Sequence, residues 1–174
     1  MTPVGKTAFS VRTLGHGDEA AFLALRREAL TGCPTSFAAA PEDDFLQTEE
    51  DVRQLFARRN GDAVFGIFTD RLYGMAGLYR ERKQKARHKV YIWSIYVAPV
   101  VRGLGAGRAL MEIVISHAGT LEGVTHIYLS VSEQAGPARA LYGSLGFSVW
   151  GVEPGGLIVQ GVSVPIQHMV LPLP

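Results

Sequence analysis

The chain has 174 residues and a formal net charge of +1, long enough for a real core and too evenly balanced to draw nucleic acid or an anionic membrane by its overall field. With 47% hydrophobic and 19% charged residues and no repeat or low-complexity tract, the composition is that of an ordinary globular domain. The single cysteine, Cys33, excludes an internal disulfide framework and a cysteine-based zinc site. His16, His88, His117, His126 and His168 fall at neither HxxxH nor HExxH spacing, so no metal is expected. The N-terminal MTPVGKTAFSVRTL lacks a signal-type apolar run and nothing elsewhere approaches a membrane span, so the expectation is one cytoplasmic domain over residues 1–174.

In chain order, AFSVRTL (8–14) predicts a first strand. DEAAFLALRREALTG (18–32) predicts a helix in which Phe22, Leu25 and Ala29 share a face, stopped by Gly32 and Pro34. TEEDVRQLFARRNG (48–61) opens on a capping box from Thr48 to Asp51, carries Val52, Leu55 and Phe56 as its apolar stripe and closes at Asn60-Gly61. AVFGIFT and RLYGMAGLYR read as two strands joined at Asp70, and the basic RERKQKARHK (80–89) as the solvated tip of the next turn. KVYIWSIYV (89–97) is apolar or aromatic almost throughout, as in a strand covered on both faces. A helix then runs through Leu110, Ile113, Val114 and Ala118 to about Thr120. THIYLSVS (125–132) alternates as a strand, and PARALYGSLG (137–146) is a short helix entered by Pro137 and stopped by Gly146. The remainder reads as two long strands turning near Gln160-Gly161. This order, β-α-α-β-β-β-α-β-α-β-β, predicts an α/β (α+β) fold with a single mixed, mostly antiparallel central sheet flanked by helices.

VVRGLGAGRAL (100–110) gives up side chains at Gly103, Gly105 and Gly107 just before a helix. The dinucleotide fingerprint GxGxxG fails, because the sixth position is Arg108 counted from Gly103 and Leu110 counted from Gly105. The triphosphate loop fails as well, since Gly107 is followed by Arg-Ala rather than Lys-Ser/Thr. Two readings remain: a tight connector with glycines for packing, or backbone N–H groups and a positive helix end gathered round an anion. Arg108 in the first helical turn opposes the dipole unless a bound anion offsets it, which favours the second.

IYVAPVVRGLGAGRALM resembles the acetyl-CoA-binding signature of the Gcn5-related N-acetyltransferases, Q/R-x-x-G-x-G/A, through Arg102, Gly105 and Gly107. PARALYGSLGF resembles that family's second signature through Ala138, Leu141, Tyr142, Leu145, Gly146 and Phe147, and the element order is also similar to the family's. The resemblance implies an acetyltransferase in which a primary amine attacks acetyl-CoA directly in a ternary complex. It implies that backbone N–H groups from Arg102 through Gly103, Leu104, Gly105, Ala106 and Gly107 to Arg108 hold the coenzyme pyrophosphate. The pantetheine arm is then expected to lie as an extra strand along Ile95, Tyr96 and Val97, where the fourth strand parts from the fifth. Ala135 and Ala138 sit beside that arm, Ala135 where relatives often carry Asn, and Tyr142 serves the departing thiolate.

The base is left open. Many relatives place a glutamate on the fourth strand; the equivalent here is Tyr91, with Glu133, Glu28 or a water chain as substitutes. Phe37, Tyr91, Trp93 and Trp150 either line an acceptor pocket or pack the sheet, and Cys33 reads as an ordinary thiol. The acceptor amine is not encoded in any motif, and relatives often form homodimers. A rival reading is a non-catalytic acyl-CoA-binding or sensing module that kept the cradle and lost the base.

Overall fold

A computed structural model of the chain describes residues 9–174; the first eight residues of the N-terminal stretch read above for a signal, including Ala8 of the first predicted strand, lie outside them. Strands β1 (Ser10–Thr13), β2 (Ala63–Phe68), β3 (Leu72–Arg80), β4 (Lys89–Val97), β5 (His126–Ser132), β6 (Ser148–Val159) and β7 (Val162–Pro172) form one sheet in the order β1-β2-β3-β4-β5-β7-β6. Every neighbouring pair is antiparallel except β4 with β5. Helices α1 (Glu19–Gly32), α2 (Glu49–Phe56), α3 (Ala106–Thr120) and α4 (Gly136–Ser144) cover it. Among the described residues no helix is long and apolar enough to cross a membrane, and no group of His, Cys, Asp and Glu could hold a metal ion.

Alternation along the strands builds two cores. Phe65, Leu78, Val90, Ile127 and Leu129 pack with Leu110, Met111 and Val114 of α3. On the other face Val64, Leu72 and Met75 pack with Phe22, Leu25 and Ala29 of α1 and with Val52 and Leu55 of α2. The capping box of α2 is present: Asp51 N–H donates to Thr48 Oγ1 at 3.2 Å and Thr48 N–H to Asp51 Oδ2 at 2.8 Å. That helix stops at Phe56 and not at Asn60-Gly61. The next position on its buried face is Arg59, which is exposed, so no apolar contact holds a further turn. The basic tip between β3 and β4 is exposed but anchored, because Arg80 donates to the carbonyls of Arg87 and Glu122, both at 2.7 Å. β6 and β7 join through Gln160 (φ 49°) and Gly161 (φ 79°), both left-handed as a two-residue hairpin turn requires.

Two irregularities shape the sheet. On the outer strand, Glu153 pairs with Ile166 and Leu157 with Val164, so Pro154, Gly155 and Gly156 bulge opposite Pro165. In β4, pairing with β3 slips beyond Trp93, and Ser94 takes φ 54°, unusual for a residue with a side chain. The bulge reverses the strand's parity: Val90 and Ile92 face the α3 core before it, Ile95 and Val97 after it. A buried ion pair stands behind the kink. Arg26 of α1 makes a bidentate contact with Asp44, Nε to Oδ2 at 2.5 Å and Nη2 to Oδ1 at 2.6 Å, and Nη1 donates to Ser94 Oγ at 2.6 Å. Both charged residues are buried.

Removing one partner of such a pair leaves an uncompensated buried charge. Asp44→Ala is therefore expected to cost about 3–5 kcal/mol in urea unfolding, whereas Arg26→Met with Asp44→Leu together should cost far less. Equal losses in the single and double variants would mean that packing, not charge pairing, dominates at this position.

Candidate active site

β4 and β5 pair only at Lys89–His126, Val90–Ile127 and Tyr91–Tyr128. Beyond Tyr91 they part, so the β5-facing polar groups of β4 in the stretch that contains Ile95, Tyr96 and Val97 have no partner in β5. The far end of the gap is closed by Arg102, whose Nε donates to the Val97 carbonyl at 2.8 Å. Its guanidinium also lies 5.6 Å from the Tyr96 ring centroid. Arg108 donates to Ser144 Oγ at 2.6 Å and stands 3.5 Å from Glu112. The side chains of Arg102 and Arg108 are thus already engaged, and the loop presents its backbone instead.

That backbone is unspent. Arg102 N–H bonds to Pro99 O and Ala109 N–H to Gly105 O, but between them no N–H from Gly103 to Arg108 finds an acceptor among the described residues. Gly103 (φ 75°) and Gly105 (φ 88°) supply the left-handed turns that aim successive N–H groups the same way, and a Cβ at either would meet open space. Gly107 has a different reason: a Cβ there would stand 3.2 Å from Leu141 of α4. The result is a run of unpaired donors at the positive end of a fifteen-residue helix, an arrangement suited to an anion.

Tyr142 of α4 belongs to the α3-side core, packed edge-on to Phe147 at 6.2 Å, with Ile95, Val97 and Ala138 against the same cluster. Its hydroxyl has no hydrogen-bond partner among the described residues, and burial pushes its pKa above the ordinary phenol value. It therefore keeps its proton. Ala135 caps α4 with its N–H on Ser132 O at 3.0 Å.

On the opposite face the parted strands open into a cleft of about 450 Å³. Phe37, Tyr91, Trp93 and Trp150 all line it, and Phe37 and Trp93 pack against the α1-side core as well. Tyr91 is the middle of a ladder, 5.0 Å from Tyr79 and 5.4 Å from Tyr128 between ring centroids. The other two carboxylate substitutes lie elsewhere. Glu28 accepts from Tyr96 Oη at 2.9 Å and lines a separate cleft beside β3; burial, then this contact, pushes the Tyr96 hydroxyl up to about 12. Glu133 accepts from Gln167 Nε2 at 3.4 Å beside Arg139, away from the cleft. Sequence reasoning missed Ser94, Arg26 and Asp44, and also His168, whose Nδ1 stands 2.9 Å from Ser130 Oγ at the cleft wall. Their partners lie 18 to 68 residues away, and no local spacing marks them.

Comparison with known proteins agrees with this geometry. The chain is 31% identical over 153 residues to a mycothiol acetyltransferase from Acidothermus cellulolyticus, covering 82% of this chain and 46% of that one; it spans about half the length of this curated relative. A GCN5-related N-acetyltransferase structure from Kribbella flavida superposes with TM-score 0.81 at 29% identity, over 95% of this chain and 98% of that one. A putative acetyltransferase from Salmonella typhimurium, solved with its cofactor acetyl-CoA, shares the fold with TM-score 0.83 at 24% identity, over 96% and 95% of the two chains. Residues 23–147 match the acetyltransferase (GNAT) family pattern, and with the donor cradle and the parted strands in place, the chain belongs to that family.

Proposed function

We propose that the protein is an acetyl-CoA-dependent N-acetyltransferase of the cytoplasm that acetylates a primary amine directly, in a ternary complex. The observation that carries this reading is the run of unspent N–H groups from Gly103 to Arg108 at the mouth of the gap between β4 and β5. Those donors suit a pyrophosphate, and the edge of β4 from Ile95 to Val97, which has no partner in β5, suits the amide-bearing arm behind it. When bound there, the coenzyme supplies an activated acetyl thioester.

The chain's own groups divide the remaining work. Tyr142, held neutral by burial, is a hydrogen-bond donor for the departing sulfur; its raised pKa makes complete proton loss costly, so it acts by donating a strong hydrogen bond as charge builds. The aromatic cleft admits the acceptor from the other face. Arg26 is its one cation among the lining residues and is already neutralised by Asp44, which favours an acceptor with an apolar or aromatic body over an anionic one. The rival binding-module reading has the empty carboxylate position on β4 in its favour and leaves Tyr142 without a purpose.

Two substitutions test the assignment. Asn tolerates a left-handed backbone, so Gly105→Asn should fold while its side chain fills the cradle; calorimetry should show acetyl-CoA affinity falling at least tenfold, about 1.4 kcal/mol. Unchanged affinity would remove the loop from the site. Tyr142→Phe keeps the ring and loses the hydroxyl, so kcat should fall by roughly ten- to ten-thousand-fold with coenzyme affinity nearly constant. The donor works only while protonated, and its pKa is raised. The parent should therefore show no falling limb in its pH–rate profile until above about pH 10, the ordinary phenol value. A thiol-release assay at the parent rate for the Phe variant would return Tyr142 to a packing role.

A further inference from the structure

Three side chains not used above stand in line across the outer half of the sheet. Ser130 of β5 and His168 of β7 are register partners, with Ser130 Oγ 2.9 Å from His168 Nδ1. On the far side of the ring, His168 Nε2 lies 3.2 Å from Glu153 Oε2 of β6. Trp150 packs against the imidazole at 5.5 Å between centroids. Ser130 and His168 both line the aromatic cleft, where His168 is the one imidazole.

The contacts define the ring's tautomer. An ionised carboxylate only accepts, so Nε2 carries the proton given to Glu153, and the Nδ1 lone pair receives the Ser130 hydroxyl proton. We propose that this Ser130–His168–Glu153 string is the proton acceptor for the amine substrate, a proposal that rests on the acetyl-transfer reading. A primary amine with the basicity of a lysine side chain, pKa about 10.4, arrives as an ammonium and cannot attack. One of its N–H bonds breaks as that proton reaches Ser130 Oγ, while the serine's own proton passes to His168 Nδ1. The amine keeps the electron pair, and the positive charge moves to an imidazolium that shares its Nε2 proton with Glu153. The charge balances, and the proton then leaves to water.

Placement supports this role. Ser130 alternates along β5 with Leu129 and Val131, which belong to the α3-side core together with Tyr142. Proton uptake at His168 and hydrogen-bond donation by Tyr142 are therefore on opposite faces of the sheet. The other titratable or charged groups near the ring are Tyr128 and His126 on β5, Tyr91 on β4 and Lys89, whose Nζ stands 5.8 Å from the Tyr128 ring; Arg26 of α1 is paired to Asp44. Among the described residues, none of these contacts His168 by hydrogen bond.

Two measurements decide it. Histidine-selective nitrogen NMR of the parent protein should show the His168 proton on Nε2 with Nδ1 unprotonated at alkaline pH; the opposite tautomer would overturn the string. Coenzyme-A thiol release should then be followed with 2-phenylethylamine, an ammonium at neutral pH, and with hydroxylamine, which is neutral there. His168→Gln should lose about 10²–10⁴-fold with 2-phenylethylamine near neutral pH, shift the rising limb of its pH–rate profile upward to follow the free amine itself, and keep near-parent rates with hydroxylamine. Equal losses with both nucleophiles, or no loss with either, would overturn the proposal. A parent that binds acetyl-CoA but releases thiol to neither nucleophile would defeat the transfer reading itself and this proposal with it.

Discussion

Everything in this molecule turns on a seam that does not close. Adjacent strands in register normally zip to their ends, since each unmade backbone hydrogen bond in a sheed-off position costs free energy. β4 and β5 stop after Tyr91 and Tyr128. What keeps them apart is local and identifiable. The Ser94 bulge turns β4 away from its earlier path, the Arg26–Asp44 pair fastens that bulge to α1, and Arg102 occupies the Val97 carbonyl at the far end. A side chain reaching over from an entirely different layer thus holds a strand in a conformation that its own sequence would not choose.

The same frustration gives the proposed site its binding potential. Donors from Gly103 to Arg108 find no acceptor among the described residues, and β4 beyond Tyr91 has no strand partner in β5. On the proposed reading, a ligand with a pyrophosphate at one end and amides along its length would meet both sets at once, and its binding energy would add to the stability of the folded chain by mass action. The parity reversal at Ser94 has a further effect. It sends Ile95 and Val97 to the Tyr142 side while Trp93 and Tyr96 face α1, so one short segment of backbone separates an apolar compartment from an aromatic one.

Most of the elements were legible in the sequence because each rests on local rules. β4 is bounded by charge and proline, α4 by Pro137 and Gly146, the last hairpin by Gln160-Gly161, and α2 by the Thr48–Asp51 box. The end of α2 was not, because Asn60-Gly61 is a true turn that closes the loop and not the helix. The candidate site divides in the same way. Gly103, Gly105 and Tyr142 sit in contiguous motifs, and so they could be found. The Arg26–Asp44–Ser94 cluster and the Ser130–His168–Glu153 string depend on registers between distant segments. A serine inside a hydrophobic strand and a lone histidine near the end of the chain carry no local mark of either. Arg108 illustrates the reverse case: its charge at the start of α3 suggested an anion, but Ser144, whose hydroxyl it already serves, stands on a different helix.

β6 lies at the outer edge of the sheet and is the longest strand of the seven. A straight edge of that length, carrying exposed Val149, Trp150, Val152 and Ile158, would be an open template on which another extended chain could polymerise. The Pro154-Gly155-Gly156 bulge interrupts it. Proline withholds a donor and the bulge bends the strand, so the edge is broken into two short pieces that do not share a plane. The protein can thereby keep a long apolar hairpin at the rim of its cleft and still resist edge-to-edge aggregation.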